Sequence, residues 1–476
     1  MPGRFTRKWQ ILGLVSVAVF MASLDLFIVN IALPDIQTGL GGASLSDASW
    51  VLNAYAIVFA ALLVPAGRLA DRMGRKSFFL WGLAVFTASS VLCAISPSLE
   101  VLIAARVLQA AGAACLYPAS LALLLPEFEG KQRATAIAIY SAVGGVSAAF
   151  GPPIGGLLVE TSWRLIFLVN VPVGLATLVV GLRVLRESRE GASARIPDIA
   201  GGLALAAAIA AAVGGIVEGQ SWGWSSARVI GCFAVAALLG GWFLWRSARH
   251  AAPIVDLPML RVRSFAMASL AQMLFSAAFG SMLLSMVLFL TGEWHYSILR
   301  AGLAIAPGPM VAALCSVPGG SLGQRIGQAR VLTASTTLFG AGFVWIALRA
   351  TATPDFLGVF LPALLITGAG VGFTLPNIFT AGVAGLSPER YATGSAVLSM
   401  ARQFGAALGV AIFVAILGTP SASSVIGAFQ RGWAAAAALS GLAALTCLAM
   451  GVVSPAISGR RRSKAEVVPA VAAGGN

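Results

Sequence analysis

The chain predicts an all-α polytopic membrane protein, with two related six-helix bundles and two inserted spans making fourteen transmembrane helices. Three observations carry that prediction. Hydrophobic residues fill 58% of the 476 positions and charged residues only 10%, a balance that no water-soluble domain can bury. The apolar positions gather in fourteen long runs, and about 20 apolar residues are enough for a helix to cross a hydrocarbon core of about 30 Å. Short motifs at the ends of the early runs return at the ends of the late ones.

The runs lie near residues 10–33, 49–67, 78–96, 101–125, 134–159, 164–185, 198–217, 226–246, 264–291, 301–322, 331–350, 355–378, 391–417 and 433–453. The first is too long for a signal peptide and lacks a small-residue cleavage pattern, so it reads as a retained span. The connecting segments are too short for a globular domain, which places any function among the spans. Charge then sets the orientation. With the N-terminus inside, the even-numbered loops and both tails collect most of the 31 Lys and Arg residues, from Arg4, Arg7 and Lys8 through Arg68, Arg72, Arg75 and Lys76 to Arg460, Arg461, Arg462 and Lys464. The opposite side holds Arg164, Arg228, Arg300, Arg349 and Arg431. This asymmetry predicts two cytoplasmic termini in a multi-pass protein of the cytoplasmic (inner) membrane. The net charge of +14 is accordingly a topology signal, with no nucleic-acid partner implied.

The internal repeat is specific. Gly67-Arg68-Leu69-Ala70-Asp71-Arg72-Met73-Gly74 after the second run is echoed by Gly320-Ser321-Leu322-Gly323-Gln324-Arg325-Ile326-Gly327 after the tenth. Gly112 to Pro118 is echoed by Gly370 to Pro376, and Arg133-Ala134-Thr135 by Arg390-Tyr391-Ala392-Thr393. Residues 1–190 and 251–459 are thus predicted to be related six-helix bundles, with 191–250 a two-helix insert and 460–476 a disordered cytoplasmic tail. Paired bundles of this kind suit a carrier that rocks two halves about a midplane site.

Cys93, Cys115, Cys232, Cys315 and Cys447 sit singly inside apolar runs and imply no disulfide and no metal. His250 and His295 are the only histidines. No nucleophile–base set, phosphate loop or nucleotide motif is present, so the chain is not expected to be an enzyme or ATP-driven. No cofactor is expected either.

Charge inside the runs is where chemistry concentrates. Asp25 is the only carboxylate well inside one, and such a residue costs about 2.5–3.5 kcal/mol on insertion scales unless a partner or cavity receives it. Counting about 1.5 Å per residue puts Asp25 about 22–24 Å above the inner start of its span, and Arg106 about 7–8 Å below the outer start of the fourth. The two are then nearly level, able to pair directly or through Gln109 one turn below. A carboxylate favours its charged form beside a guanidinium and its neutral form when parted from it in an apolar setting. Arg402 and Gln403 lie near mid-depth in the thirteenth run, where no acid of the second half can meet them. Two roles stay open for Arg402, an anion-binding one and a structural one tying backbone carbonyls.

The loop Gly67 to Lys76 has glycines suited to a tight turn at Gly67 and Gly74. Asp71 is positioned to face the N-terminal end of the thirteenth span near Ser387-Pro388-Glu389. Arg72 and Arg75 are expected to bridge to Glu127 or Glu129. The loop reads as an inner gate latch as well as a topology-setting basic loop. In the fifth run Gly151, Pro152, Pro153, Gly155 and Gly156 combine close contact with bending.

These motifs together resemble the fourteen-span drug:proton antiporter branch of the major facilitator superfamily. The resemblance rests on Leu24 to Pro34 in the first span, with Asp25 and Asn30; on Gly67 to Lys76; and on Arg106, Gln109, Gly112 and Ala113. It rests further on Gly151 to Gly156, on Trp163-Arg164 through Asn170-Val171-Pro172-Val173-Gly174, and on Arg402-Gln403-Phe404-Gly405. Ala110, Ser147 and Gln324 depart from the pattern. The resemblance implies the major facilitator fold. It also implies Asp25 and Arg106 as proton-coupling residues, and Gly151, Pro152, Gly155 and Gly156 as an antiporter motif sealing the outer side.

The function expected is a proton-coupled efflux antiporter that exports amphipathic drugs or antibiotics by alternating access, driven by the proton gradient. Asn30, Gln109, Tyr117, Arg402 and Gln403 are the candidate cavity residues. The alternative is a dedicated exporter of an endogenous metabolite or lipid-like compound; a transporter-like receptor or scaffold is the third reading. The expected partners are a small amphipathic substrate, protons and the lipid bilayer, with the monomer as working unit. Arginine preferred over lysine points by association to a GC-rich bacterial genome, and a Gram-negative host would admit a periplasmic adaptor.

Overall fold

The computed structural model describes residues 2–189, 198–387, 390–421 and 423–451, with side chains described throughout except at 2–6, 130, 131, 134, 138, 141 and 392. Among these residues the chain is helical, with short turns and no strand. In hydrocarbon every backbone N–H and C=O must find a partner within its own segment, and the helix provides one.

The first bundle comprises α1 (Pro2–Gly39), α2 (Leu45–Met73), α3 (Arg75–Ala94), α4 (Leu99–Leu124), α5 (Gly130–Val159), α6 (Leu165–Leu168) and α7 (Asn170–Val184). The insert holds α8 (Ile199–Val217), α9 (Gly219–Trp222) and α10 (Ala227–Arg249). The second bundle runs through α11 (Arg263–Gly292), α12 (Ile298–Ile305), α13 (Pro307–Ile326), α14 (Gln328–Arg349), α15 (Leu361–Ala384), α16 (Tyr391–Leu417) and α17 (Val425–Ala449). Fourteen segments are long and apolar enough to cross a membrane, as the composition predicts.

Helix starts are marked by the residues that cap them. Ser44, Ser98, Ser226 and Ser297 each accept a backbone N–H three residues on, satisfying a donor the helix leaves open. The hydrogen-bond ladder of two spans breaks although the backbone stays helical: in the sixth at Val169, three residues before Pro172, and in the tenth at Ala306, next to Pro307. The last span begins at Val425, eight residues ahead of its apolar run, because Gln430 and Arg431 extend the helix beyond the hydrophobic stretch.

The two bundles repeat one pairing scheme. α1 packs on α5 as α11 packs on α16, α2 on α4 as α13 on α15, and α3 on α4 and α7 as α14 on α15 and α17. The glycines of the repeat explain the match. Gly74 and Gly327 end α2 and α13 with φ of 113° and 96°, a conformation that side chains disfavour. Across the bundle, a Cβ on Gly67 would lie 3.4 Å from Pro118, and one on Gly320 3.8 Å from Pro376.

The bundles meet along two seams, α2 against α16 and α5 against α12 and α13, while α1 also touches α11. In the insert, α8 lies on the first seam, touching both α2 and α16. The face where α1 begins and α17 ends carries the basic loops and is called the basic face below.

Candidate functional site

Asp25 and Arg106 are in direct contact. Both are sealed from solvent, at 1% and 0% exposure, and an Arg106 Nη1 donates to Asp25 Oδ2. The same nitrogen donates to Gln109 Oε1 at 2.6 Å, and Gln109 Nε2 donates to Asp25 Oδ1 at 2.9 Å. Gln109 therefore closes a ring with the ion pair. Its spacing three residues after Arg106 puts both on one face of α4.

Further groups brace the ring. Arg106 Nε donates to the Val51 carbonyl at 3.2 Å, Gln109 Nε2 to Ser90 Oγ at 2.9 Å, and Asn170 Nδ2 to Asp25 Oδ1 at 3.3 Å. The guanidinium lies 4.1 Å from the centroid of the Tyr55 ring and 5.8 Å from that of Phe167, adding cation–π attraction in a buried setting. α1, α2, α3, α4, α6 and α7 thus all reach the site. Two buried atoms, Arg106 Nη2 and the Tyr55 hydroxyl oxygen, have no hydrogen-bond partner among the described residues.

The remaining expected residues divide. Tyr117, two turns along α4 from Gln109, pairs its hydroxyl with Ser23 Oγ at 2.5 Å and meets the Phe59 ring edge-on at 5.3 Å. Arg402 comes from the opposite bundle to within electrostatic range of Tyr117. It makes no hydrogen bond to any described residue, so the carbonyl-tying arrangement is not present. Gln403 is buried beside it. Asn30 instead turns back to the Leu26 carbonyl at 2.8 Å. Ser90, Val51 and Phe167 were missed by sequence reasoning. Asn170 lies in the stretch from Trp163 to Gly174 that carries the family resemblance.

On the far face, the glycine motif of α5 touches three neighbours. A Cβ on Gly151 would sit 2.5 Å from Phe27, one on Gly155 2.5 Å from Ile31, and one on Gly156 2.7 Å from the Leu299 backbone. Two of these glycines therefore seat α1, the helix that carries Asp25. The third brings the two bundles backbone to backbone, where Gly302 also abuts the Pro152 carbonyl.

At the basic face the loop after α2 is arranged differently from expectation. Arg75 pairs with Asp71 at 2.8 Å, while Glu127 is taken by Arg7 at 3.8 Å. Arg7 reaches Glu127 from α1, and the short reach across Gly74 favours the local Asp71–Arg75 pair over the bridges to Glu127 or Glu129. Arg72 is exposed. Asp71 does face the start of α16, across a cleft of about 560 Å³ that it lines with Arg68, Arg390 and Thr393; Pro388 and Glu389 lie outside the described residues.

A buried acid–arginine pair in one of two pseudo-repeated bundles, with glycine contacts at one face and a basic loop at the other, matches a known family. The model of the Major Facilitator Superfamily matches residues 15–200 and 199–410. The chain belongs to the Major Facilitator Superfamily. The relatives of this superfamily member include the multidrug resistance protein Stp of Mycobacterium tuberculosis, 33% identical over 86% of this chain and 76% of Stp. They include the tetracenomycin C resistance and export protein of Streptomyces glaucescens, 32% identical over 90% and 79%. The cephamycin export protein CmcT of Amycolatopsis lactamdurans is 34% identical over 87% and 86%. A crystal structure of a POT family transporter with a thioalcohol-conjugated peptide aligns over 92% of this chain and 95% of that one, with a TM-score of 0.70 at 14% identity. At that identity the likeness is one of fold.

Proposed function

We propose that this superfamily member is a proton-coupled antiporter that exports amphipathic drugs or antibiotics across the bacterial cytoplasmic membrane by alternating access, its basic face cytoplasmic. The observation that carries the reading is the sealed ring of Asp25, Arg106 and Gln109. It is a carboxylate whose charge balance depends on one cation.

The ring gives a cycle. With Asp25 against Arg106 the pair is self-neutralising and needs no proton. A local shift of α1 against α4 within the first bundle, or entry of substrate beside Arg106, leaves the carboxylate without its cation in an apolar setting, and a proton then binds. Gln109 and the Val51 carbonyl hold the guanidinium meanwhile. Because protonation and conformation are linked, substrate and proton alternate. The names of the tetracenomycin C and cephamycin proteins support the second reading, a dedicated exporter of one antibiotic or metabolite, which the same ring would serve.

The test is proton release from detergent-purified protein on titration with a panel of cationic, neutral and anionic antibiotics. Release by wild type and none by Asp25→Asn is the expected result. Release undiminished in Asp25→Asn removes Asp25 from the coupling role.

A further inference from the structure

A second buried acid lies outside the ring and has no part in it. Asp198 opens α8 at 1% exposure. Its Oδ1 accepts from the Gly201 N–H at 2.9 Å, capping the helix, and from Arg246 Nε on the last turn of α10 at 2.6 Å. Its own N–H donates to the Ala252 carbonyl at 3.2 Å. The two inserted spans and the segment leaving them are therefore tied at a single carboxylate. The tie is reinforced where Ile254 fills the space over Gly202, 2.7 Å from where a Cβ would stand.

The segment so fixed runs to Asp256, and Asp256 stands between two cations. It pairs with Arg390, at the start of α16, at 3.5 Å, and lies within electrostatic range of Arg68 on α2. Arg68, Asp256, Arg390, Ser247 and His250 share the walls of the 560 Å³ cleft. The cleft thus has three walls, one from each bundle and one from the insert. Ser247 is buried there with an unpartnered hydroxyl. Arg68 makes no hydrogen bond or ion pair with any described residue, whereas at the far face the bundles already touch. Closing the cleft brings Arg68 onto Asp256.

We propose that Asp256 is the acid that latches the α2 loop to the second bundle, and that the insert positions it through the buried Asp198–Arg246 pair. Asp256 trades its Arg390 contact for a shared one with Arg68 as the cleft closes, and the insert acts as a third jaw of the gate. This rests on the alternating-access reading above, but not on the role of Asp25.

Double electron–electron resonance between spin labels on Arg133→Cys and Arg330→Cys tests it, in full-length protein in lipid nanodiscs with the five native cysteines replaced by alanine. Wild type is expected to show two distance populations across the basic face. Asp256→Asn should lower the short-distance population about three-fold, the size of a partly exposed charge pair, and Asp256→Glu should preserve it. Asp198→Asn should shift it the same way, and Asp198→Asn/Asp256→Asn no further than Asp256→Asn alone, since one acts through the other. Populations unchanged by Asp256→Asn overturn the latch while leaving alternating access standing. Additive shifts overturn the positioning role of Asp198. A single invariant distance in wild type overturns alternating access and the latch together.

Discussion

The two bundles share a scaffold and differ in what they bury. Six and three residues before Gly112 stand Arg106 and Gln109; six and three before Gly370 stand Leu364 and Thr367, each 1% exposed. Thr367 spends its hydroxyl on the Ala363 carbonyl at 2.7 Å. Where the first bundle holds an ion pair in a ring of amides, the second holds aromatic rings. Phe289 meets Trp294, Phe360, Phe429 and Trp433 at centroid distances of 5.0–5.6 Å, and Trp433 donates to Ser285 at 3.0 Å. Duplicated helix pairing therefore leaves room for a buried ion pair in one copy, while the other is held by aromatic packing and neutral hydrogen bonds.

The largest effect comes from making the first bundle like the second. Arg106→Leu strands Asp25 in a sealed site, and removing one partner of such a pair costs about 3–5 kcal/mol. Asp25→Asn/Arg106→Leu should recover most of that stability, since a buried pair and an apolar replacement are often equivalent. Proton-coupled transport should stay at zero in both. Thermal unfolding in detergent beside proton-driven uptake in proteoliposomes reads the two quantities separately. A double variant no more stable than Arg106→Leu would mean that the ring is needed for the fold itself.

Trp433→Ala attacks the other bundle. Removing a large buried aromatic costs about 3–5 kcal/mol, and the loss should fall on stability alone, with the protein that remains folded still coupling substrate to protons. A folded Trp433→Ala protein that no longer releases protons would show the second bundle to be more than a packed support.

This division between scaffold and chemistry tracks what the residues disclosed. Hydropathy alone gave all fourteen spans, and depth counting put Asp25 level with Arg106, because a 1.5 Å rise per residue is nearly invariant. Ser90, Val51 and Phe167 stayed hidden, since nothing in an apolar run says which serine, carbonyl or ring will point at a given acid. The breaks at Val169 and Ala306 escaped for a related reason: hydropathy does not change where a membrane helix is interrupted. Asp198 escaped because it sits at the edge of an apolar run, where an acid looks solvated, and only the fold of the insert buries it. The expected bridge from Arg75 to Glu127 escaped differently, since Arg7, far away in sequence, takes that glutamate.

A smaller effect separates the two copies of the loop. Both Gly74 and Gly327 have φ in the left-handed half of the map, so alanine at either should cost about 1–2 kcal/mol in backbone strain. At Gly74 a Cβ would also lie 2.6 Å from the Glu187 carboxyl carbon, whereas at Gly327 it would meet nothing within 4 Å. Gly74→Ala should therefore lower the melting temperature more than Gly327→Ala. Equal shifts would show that the Glu187 contact gives way without cost.

The same glutamate supplies the smallest and most local difference. Glu187, in the segment after α7, covers the N-terminus of α3: it accepts from the Lys76 and Ser77 N–H groups at 3.1 Å each and from the Ser77 hydroxyl. Burial pushes its carboxyl up, but the hydrogen bonds from Ser77, Lys76 and Ser188 outweigh burial and hold it below the usual glutamate range. A lowered value means that the cap contributes fully above the ordinary glutamate pKa of about 4.3 and is lost as pH falls through the folded value. Hydrogen exchange at Lys76 and Ser77, corrected for intrinsic rates, should show protection in wild type that fades below about pH 4. In Glu187→Gln protection should be lower and flat with pH. Gln328 and Ala329, which open α14 after the glycine of the second copy with no acid among the described residues over them, should likewise be flat. Fading of equal size at both helix starts would place the pH response in the shared turn and take it away from Glu187.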